Sequence, residues 1–416
     1  MTMYDLILKT LDIKKEVKDL DYFKKANKIP LGTKEPPSSY SDKDSMTKND
    51  FVYWDINPNE VFNILIASRA GTHKTVILKR MLKYFYENNY DCTIIDPKSY
   101  DFLLGKYVGS GRNLYPFGEY ASKLPIVGCI PSFAATQTKG QLSLNPEIVN
   151  KFDEIFTLDF KTISTRDEWQ TLMGVSDASS AAIIKHLAKS TSFLALLKNI
   201  RKDATIATGS KRSVDVRFSA FMADEVFNVN NINLKLKDGI EKNIIPKFLK
   251  LSTYWNKKLI PLVFFFRRDP RYQKLVVTKI IEQQWLYSET HNNNKLNIFD
   301  DAAMYLEHSE DSSSQIVANS IDFGRTYKFN NIFGMQNPER FDDNIMSSCK
   351  DKFIGDLGRP ETMASFVDKN TYDLIKALRY DESNKPIIEV EYAWISANRR
   401  NVKTFFPSGS IIGHTH

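Results

Sequence analysis

Val61-Phe-Asn-Ile-Leu-Ile-Ala67 runs directly into Ser68-Arg69-Ala70-Gly71-Thr72-His73-Lys74-Thr75, and the reading of this stretch decides the fold. Its first half is a short apolar run suited to a buried parallel strand, and residues 74–88 switch to helical periodicity. The turn between them is similar to the phosphate-loop pattern G-x-x-x-x-G-K-[ST], with Gly71, Lys74 and Thr75 filling key positions. In such a loop the backbone N–H groups from Ser68 through Arg69, Ala70, Gly71, Thr72 and His73 to Val76 cradle phosphates, and the helix adds its positive end. Lys74 then meets the β- and γ-phosphates, and Thr75 offers a hydroxyl to Mg²⁺. Two positions depart from the pattern. Ser68 stands where the first glycine is usual, and His73 replaces the glycine before the lysine, a position where positive φ costs any side chain something.

Outward from this turn, strands alternate with helices. Tyr90–Ile95 is a strand ended by Asp96-Pro97; further strands are expected over 259–266, 295–299, 331–335 and 352–355, with helices over 273–287 and 314–323. A strand pair over 387–396 and 402–406 closes the pattern. This spacing implies an α/β fold with a mainly parallel central sheet flanked by helices on both faces. Residues 51–104 and 256–408 are expected to form the core. Residues 105–255 interrupt the rhythm and read as a largely helical insertion, clearest over 165–201. Residues 1–50 read as an arm, with helical spacing over 4–23 and then a Pro- and Ser-rich linker, and 409–416 as a tail.

The 416 residues are 42% hydrophobic and 26% charged, with three scattered cysteines, which excludes a disulfide scaffold and a disordered chain. No apolar run approaches the ~20 residues of a membrane span. A cytoplasmic location is the expectation, that of the host if the chain is encoded by a virus or plasmid. The formal charge of +7, from 57 basic and 50 acidic residues, leans towards polyanions without deciding for one.

A nucleotide hydrolase needs acids at the end of a second strand. Leu296-Asn-Ile-Phe-Asp300-Asp301 supplies them, Asp300 on the metal side and Asp301 as general base, since strand ends line the crevice of a parallel sheet. Asn331-Ile-Phe-Gly-Met-Gln336-Asn-Pro338 ends a third strand with an amide that can orient the lytic water. Arg325, in Phe323-Gly-Arg-Thr-Tyr327, is a candidate for neutralising phosphoryl charge from a neighbouring subunit.

The order of these pieces resembles the HerA–FtsK superfamily of DNA-pumping P-loop ATPases over about residues 51–408. The most specific part is Phe323-Gly-Arg-Thr-Tyr327 with Gly334-Met-Gln-Asn-Pro338; Met335 stands where that family usually has threonine. The resemblance implies a RecA-like core, with ATP and Mg²⁺ as cofactors. Lys74 and Thr75 become nucleotide and Mg²⁺ ligands, Asp300 and Asp301 the acidic pair, Gln336 the γ-phosphate sensor and Arg325 a trans arginine. It also implies a hexamer with DNA, double-stranded by expectation, in its channel, and a nuclease, relaxase or portal-type partner. Lys198, Arg201, Lys202, Lys211 and Arg212, around a flexible segment at 207–210, and Arg267 and Arg268 are the basic groups that suit sequence-independent phosphate contacts; a solvated, salt-paired face is the other reading of each. Two further functions stay open at this point: a degenerate P-loop subunit that binds without turnover, and a P-loop phosphotransferase acting on a small substrate.

Overall fold

The computed structural model of the chain describes residues 28–35, 50–57, 60–70, 72, 74–97, 102, 124–132, 152–223, 227, 232–235, 241–244, 246–264, 270–358, 362, 365–366, 391–396 and 403–407. The helical arm read over 4–23, the tail at 409–416, and Gly71, His73, Arg267 and Arg268 lie outside the described residues.

In chain order the strands are β1 (Lys28–Thr33), β2 (Phe51–Asp55), β3 (Asn63–Ala67), β4 (Asp91–Asp96), β5 (Ile126–Pro131), β6 (Glu154–Thr157), β7 (Ile232–Lys235), β8 (Glu241–Ile244), β9 (Lys247–Phe248), β10 (Ile260–Phe264), β11 (Lys295–Phe299), β12 (Phe329–Met335), β13 (Asp351–Ile354), β14 (Tyr392–Ser396) and β15 (Lys403–Phe405). Eleven of them form one sheet, ordered β15-β14-β13-β3-β12-β11-β4-β10-β5-β6-β9. From β13 to β9 every pairing is parallel; β14 and β15 close one edge antiparallel. The loop strand β3 lies between β13 and β12, and the acidic strand β11 is the next one over, as in a RecA-like core. The α/β fold expected from the sequence is therefore the fold observed. Strands β3, β4, β10, β11 and β12 are buried along their whole length, which is why they read as largely apolar runs.

The helices that bear on the argument are α1 (Lys74–Glu87), α2 (Arg166–Met173), α3 (Asp177–Leu187), α4 (Phe193–Lys202), α5 (Thr208–Ala223), α6 (Pro270–Ser288) and α7 (Ser312–Asp322). Helix α1 follows the loop and presses Ile77, Leu78, Met81, Leu82 and Phe85 into the core. No helix among the described residues is long and apolar enough to cross a membrane.

Amides run through the middle of this apolar sheet. Asn331 of β12 donates to Asn63 Oδ1 of β3 at 2.9 Å, Asn297 of β11 donates to Asn331 Oδ1 at 3.1 Å, and Gln284 of α6 donates to Asn297 Oδ1. Gln284 also donates to Thr93 Oγ1 of β4 at 3.2 Å. Asn63, Asn331, Asn297 and Thr93 are direct partners in the strand register. Asn331→Leu leaves amide groups of both neighbours buried without their partner, and is expected to cost about 2–3 kcal/mol; a urea unfolding midpoint measures it.

Three parts of the chain differ from the sequence reading. Lys28–Thr33, assigned to a linker because of Pro30 and Gly32, is β1, paired antiparallel with β2. Its proline falls where the register with β2 is irregular, between Pro30 and Gly32, and Gly32 is required because a Cβ there would lie 2.0 Å from the Phe406 carbonyl oxygen. Second, β5, β6 and β9 belong to the central sheet, so the stretch 105–255 is not set apart from the core as a mainly helical insertion; its helical portion is α2–α5. Third, residues 208–210 open α5 rather than forming a loop. Val214 and Phe218, four positions apart on α5, are both fully buried, and Phe218 stacks on Phe193 (4.3 Å) and Trp169 (6.0 Å). The helical layer is tied to the core through Lys279 of α6, which donates to Glu168 of α2 and, at 2.7 Å, to the Thr162 carbonyl.

Candidate nucleotide site

The site lies at the carboxyl ends of β3, β11 and β12. Past β3 the chain is pinned by its neighbours: Gly355 N–H donates to the Ala67 carbonyl at 2.9 Å, Ser68 N–H to Met335 O at 3.1 Å and Arg69 N–H to Asp356 O at 2.7 Å. The Arg69 guanidinium adds an ion pair to Asp356 at 2.6 Å, and the Thr72 hydroxyl donates to Arg69 O at 2.7 Å, closing the turn on itself. Arg69 and Ala70 are exposed at the tip, Ser68, Thr72 and Val76 are buried, and Thr75 is half-buried.

Lys74 opens α1 and is buried. Its ammonium sits 3.3 Å from Asp301 Oδ1 and 3.5 Å from Asp300 Oδ1. Burial pushes the Lys74 pKa down, but Asp300, Asp301 and Tyr392 outweigh it and leave the group above its ordinary value, hence charged. Both carboxylates are themselves buried at the end of β11. Asp300 is held by its backbone N–H on Ile95 O at 2.9 Å. Asp301 adopts a left-handed backbone, φ 47°, which turns it out of the strand direction, and its N–H donates to Asp300 Oδ1 at 3.0 Å. Aspartate is among the few side chains that enter this region at modest cost. Gln336 Nε2 donates at 3.1 Å to Asp301 Oδ1, the oxygen that also faces Lys74. Groups more than two hundred positions apart in sequence thus meet at one carboxylate.

Residues that the sequence reading passed over complete the surroundings. A Cβ on Gly334 would lie 3.1 Å from Asp300 Oδ1 and 2.9 Å from Leu78 Cδ1, so β12 needs glycine to pass beside the acid. The Tyr305 hydroxyl lies 3.0 Å from the Asp300 carbonyl; burial first, then Asp300, Asp96 and Asp301, push its phenol well up, so it stays a donor. Asp96, ending β4 beside β11, is buried nearby. Gly334 stood inside a quoted motif and was legible as a close approach; Tyr305 carried no sequence signal.

Arg325 is not brought to this cluster. It is exposed on a short turn before β12, at the opposite end of that strand from Gln336. At about 3.3 Å per residue, the seven residues of β12 set it roughly 20 Å away. Lys198, Arg201, Lys202 and Arg212 are exposed on α4 and α5, and Lys211 is half-buried; Arg201 pairs with Asp215 at 2.8 Å.

Among the described residues no three His, Cys, Asp or Glu side chains cluster as a metal site. Mg²⁺, however, takes one or two carboxylates together with substrate phosphates and water, and the Asp300 carboxylate and Thr75 hydroxyl are hard oxygen donors of the kind it accepts. The donor chemistry fits.

Solved structures of similar fold are known. VirB4 of Thermoanaerobacter pseudethanolicus is 12% identical over 93% of this chain and 96% of its own, with a TM-score of 0.45. Plasmid coupling protein TrwB, solved with the non-hydrolysable ATP analogue ADPNP, is 10% identical over 85% of this chain and 87% of its own, with a TM-score of 0.48. The genome packaging NTPase B204 from Sulfolobus turreted icosahedral virus 2, in complex with ATP-gammaS, is 8% identical over 84% and 98%, with a TM-score of 0.36. No protein-family model matches the sequence, and no curated protein does.

Proposed function

We propose that the chain is an ATP-hydrolysing motor of the HerA–FtsK kind that moves double-stranded DNA without reading its sequence. The observation that carries the ATPase reading is the meeting of Lys74, Asp300, Asp301 and Gln336 at the mouth of the loop, three strand ends converging on one carboxylate. In this arrangement Lys74 is held by two acids. Triphosphate oxygens compete with them for the ammonium, which then neutralises charge on the transferred phosphoryl group. Asp301, released from Lys74, is free to take a proton from the attacking water, and Gln336 is within reach of the same water. Asp300 and Thr75 would hold Mg²⁺, whose charge offsets that of the phosphates.

The DNA reading is supported by the excess of basic residues and by the exposed lysines and arginines of α4 and α5, groups suited to phosphates and not to base edges. The distance of Arg325 from its own chain's site supports its use on a neighbour's, as in a closed ring. The test is ATP turnover by the purified chain, titrated with duplex DNA of unrelated sequences. The expected result is stimulation common to all of them that declines with salt. Turnover that ignores DNA and requires a small phosphate acceptor overturns the motor reading in favour of a phosphotransferase.

A further inference from the structure

The Ser68 position, a departure from the phosphate-loop pattern, has a partner far along the chain. The Ser68 Oγ lies 2.5 Å from the hydroxyl of Tyr392, which lies 324 positions later, at the start of β14. The same hydroxyl lies 2.8 Å from the Thr72 carbonyl oxygen. The direction of these bonds follows from chemistry. A carbonyl only accepts, so the single phenolic hydrogen goes to Thr72, and the Ser68 hydroxyl must donate to the Tyr392 oxygen. One phenol therefore grips the loop at its entry and again two residues before Lys74.

We infer that Tyr392 is a positioning residue for the nucleotide: through Ser68 and Thr72 it holds the phosphate loop in its binding shape, the serine and phenol together filling the space that the pattern's first glycine would leave open. This rests on the nucleotide reading of the loop. The phenol is fully buried, stacked on Phe405 at 5.7 Å, on a strand hydrogen-bonded along both edges, so it is itself immobilised. The room it needs is provided by Gly355: a Cβ there would lie 2.8 Å from Tyr392 Cζ and 3.0 Å from Ser68 Cβ. Burial pushes the Tyr392 phenol up, against the pull of Ser68, Thr72 and Lys74, so the hydrogen remains in place at neutral pH.

The experiment uses the full chain as wild type, Tyr392→Phe, Ser68→Ala and the double variant. A fluorescent ATP analogue reports affinity, steady-state assays report KM and kcat, and amide hydrogen exchange of nucleotide-free protein reports the loop. Tyr392→Phe, which removes both hydrogen bonds to the loop, is expected to raise Kd and KM about tenfold. The change in kcat should stay within about threefold, since the phenol does not touch the reacting atoms. Ser68→Ala in the Tyr392→Phe background should add little, because the bond from Ser68 to the phenol is already gone. Exchange should accelerate over residues 69–75 and not in β11 or β12. Wild-type affinity and loop exchange in Tyr392→Phe overturn the inference, as does faster exchange throughout the sheet, which would make Tyr392 a packing residue only. If wild type itself fails to bind the analogue, the ATPase reading falls, while the exchange comparison still decides on Tyr392.

Discussion

Lys74→Ala is expected to lower ATP turnover by about 10²–10³-fold, the effect of removing one preorganised charge from a developing phosphoryl anion. It should also weaken the nucleotide-free protein. Asp300 and Asp301 are buried, and in the folded chain the Lys74 ammonium faces both. Removing one partner of a buried ion pair costs about 3–5 kcal/mol, because the acids keep their desolvation cost and lose the cation that offset it. Melting curves of wild type and variant at neutral pH, without nucleotide, read this out. A variant that melts like wild type and keeps its turnover would show that the ammonium serves neither the fold nor the reaction.

Asp301→Asn separates binding from chemistry. Asparagine keeps the size of the side chain and is at ease with the left-handed backbone that Asp301 adopts, so the local fold should be retained. What it loses is the ability to accept a proton. A missing general base costs about 10²–10⁴-fold in kcat, while affinity for an ATP analogue should not fall by more than about threefold, because the change weakens a competitor for the Lys74 ammonium and removes no contact to the nucleotide. Single-turnover measurement isolates the chemical step. Retention of more than about a tenth of wild-type kcat would move the base elsewhere, with Asp96, buried at the end of the adjacent β4, the first alternative.

The core of this fold was legible because a strand buried on both faces leaves an unmistakable apolar run, and because the motif residues sit at strand ends. Asn63–Ala67 with α1, Lys295–Phe299 and Phe329–Met335 were each read within a few residues of their observed limits. What escaped were the edges. β1 contains a proline and a glycine, residues that argue for a loop until Phe406 is seen pressing on Gly32. β5 and β6 are six and four residues long, set in a stretch whose helices dominate the pattern. Within the site, the acids, the lysine and the glutamine were found by type and spacing. Tyr392 and Gly355 were not, since nothing local in a phenol or a glycine tells of a serine more than 280 positions away; only the sheet order brings them together.

The amides crossing the sheet have a consequence beyond their hydrogen bonds. A strand covered on both sides has no inside-outside code, so β12 slid by two residues against β3 or β11 would still bury apolar groups nearly as well. Asn63, Asn331 and Asn297 remove that degeneracy, because such a two-residue slip sets a buried amide opposite a hydrocarbon, at about 1–3 kcal/mol for each group stranded. Lys74, Asp301 and Gln336 ride just beyond the far ends of those same three strands. Their alignment is thus indexed by an uncharged vernier set further back along the same rods.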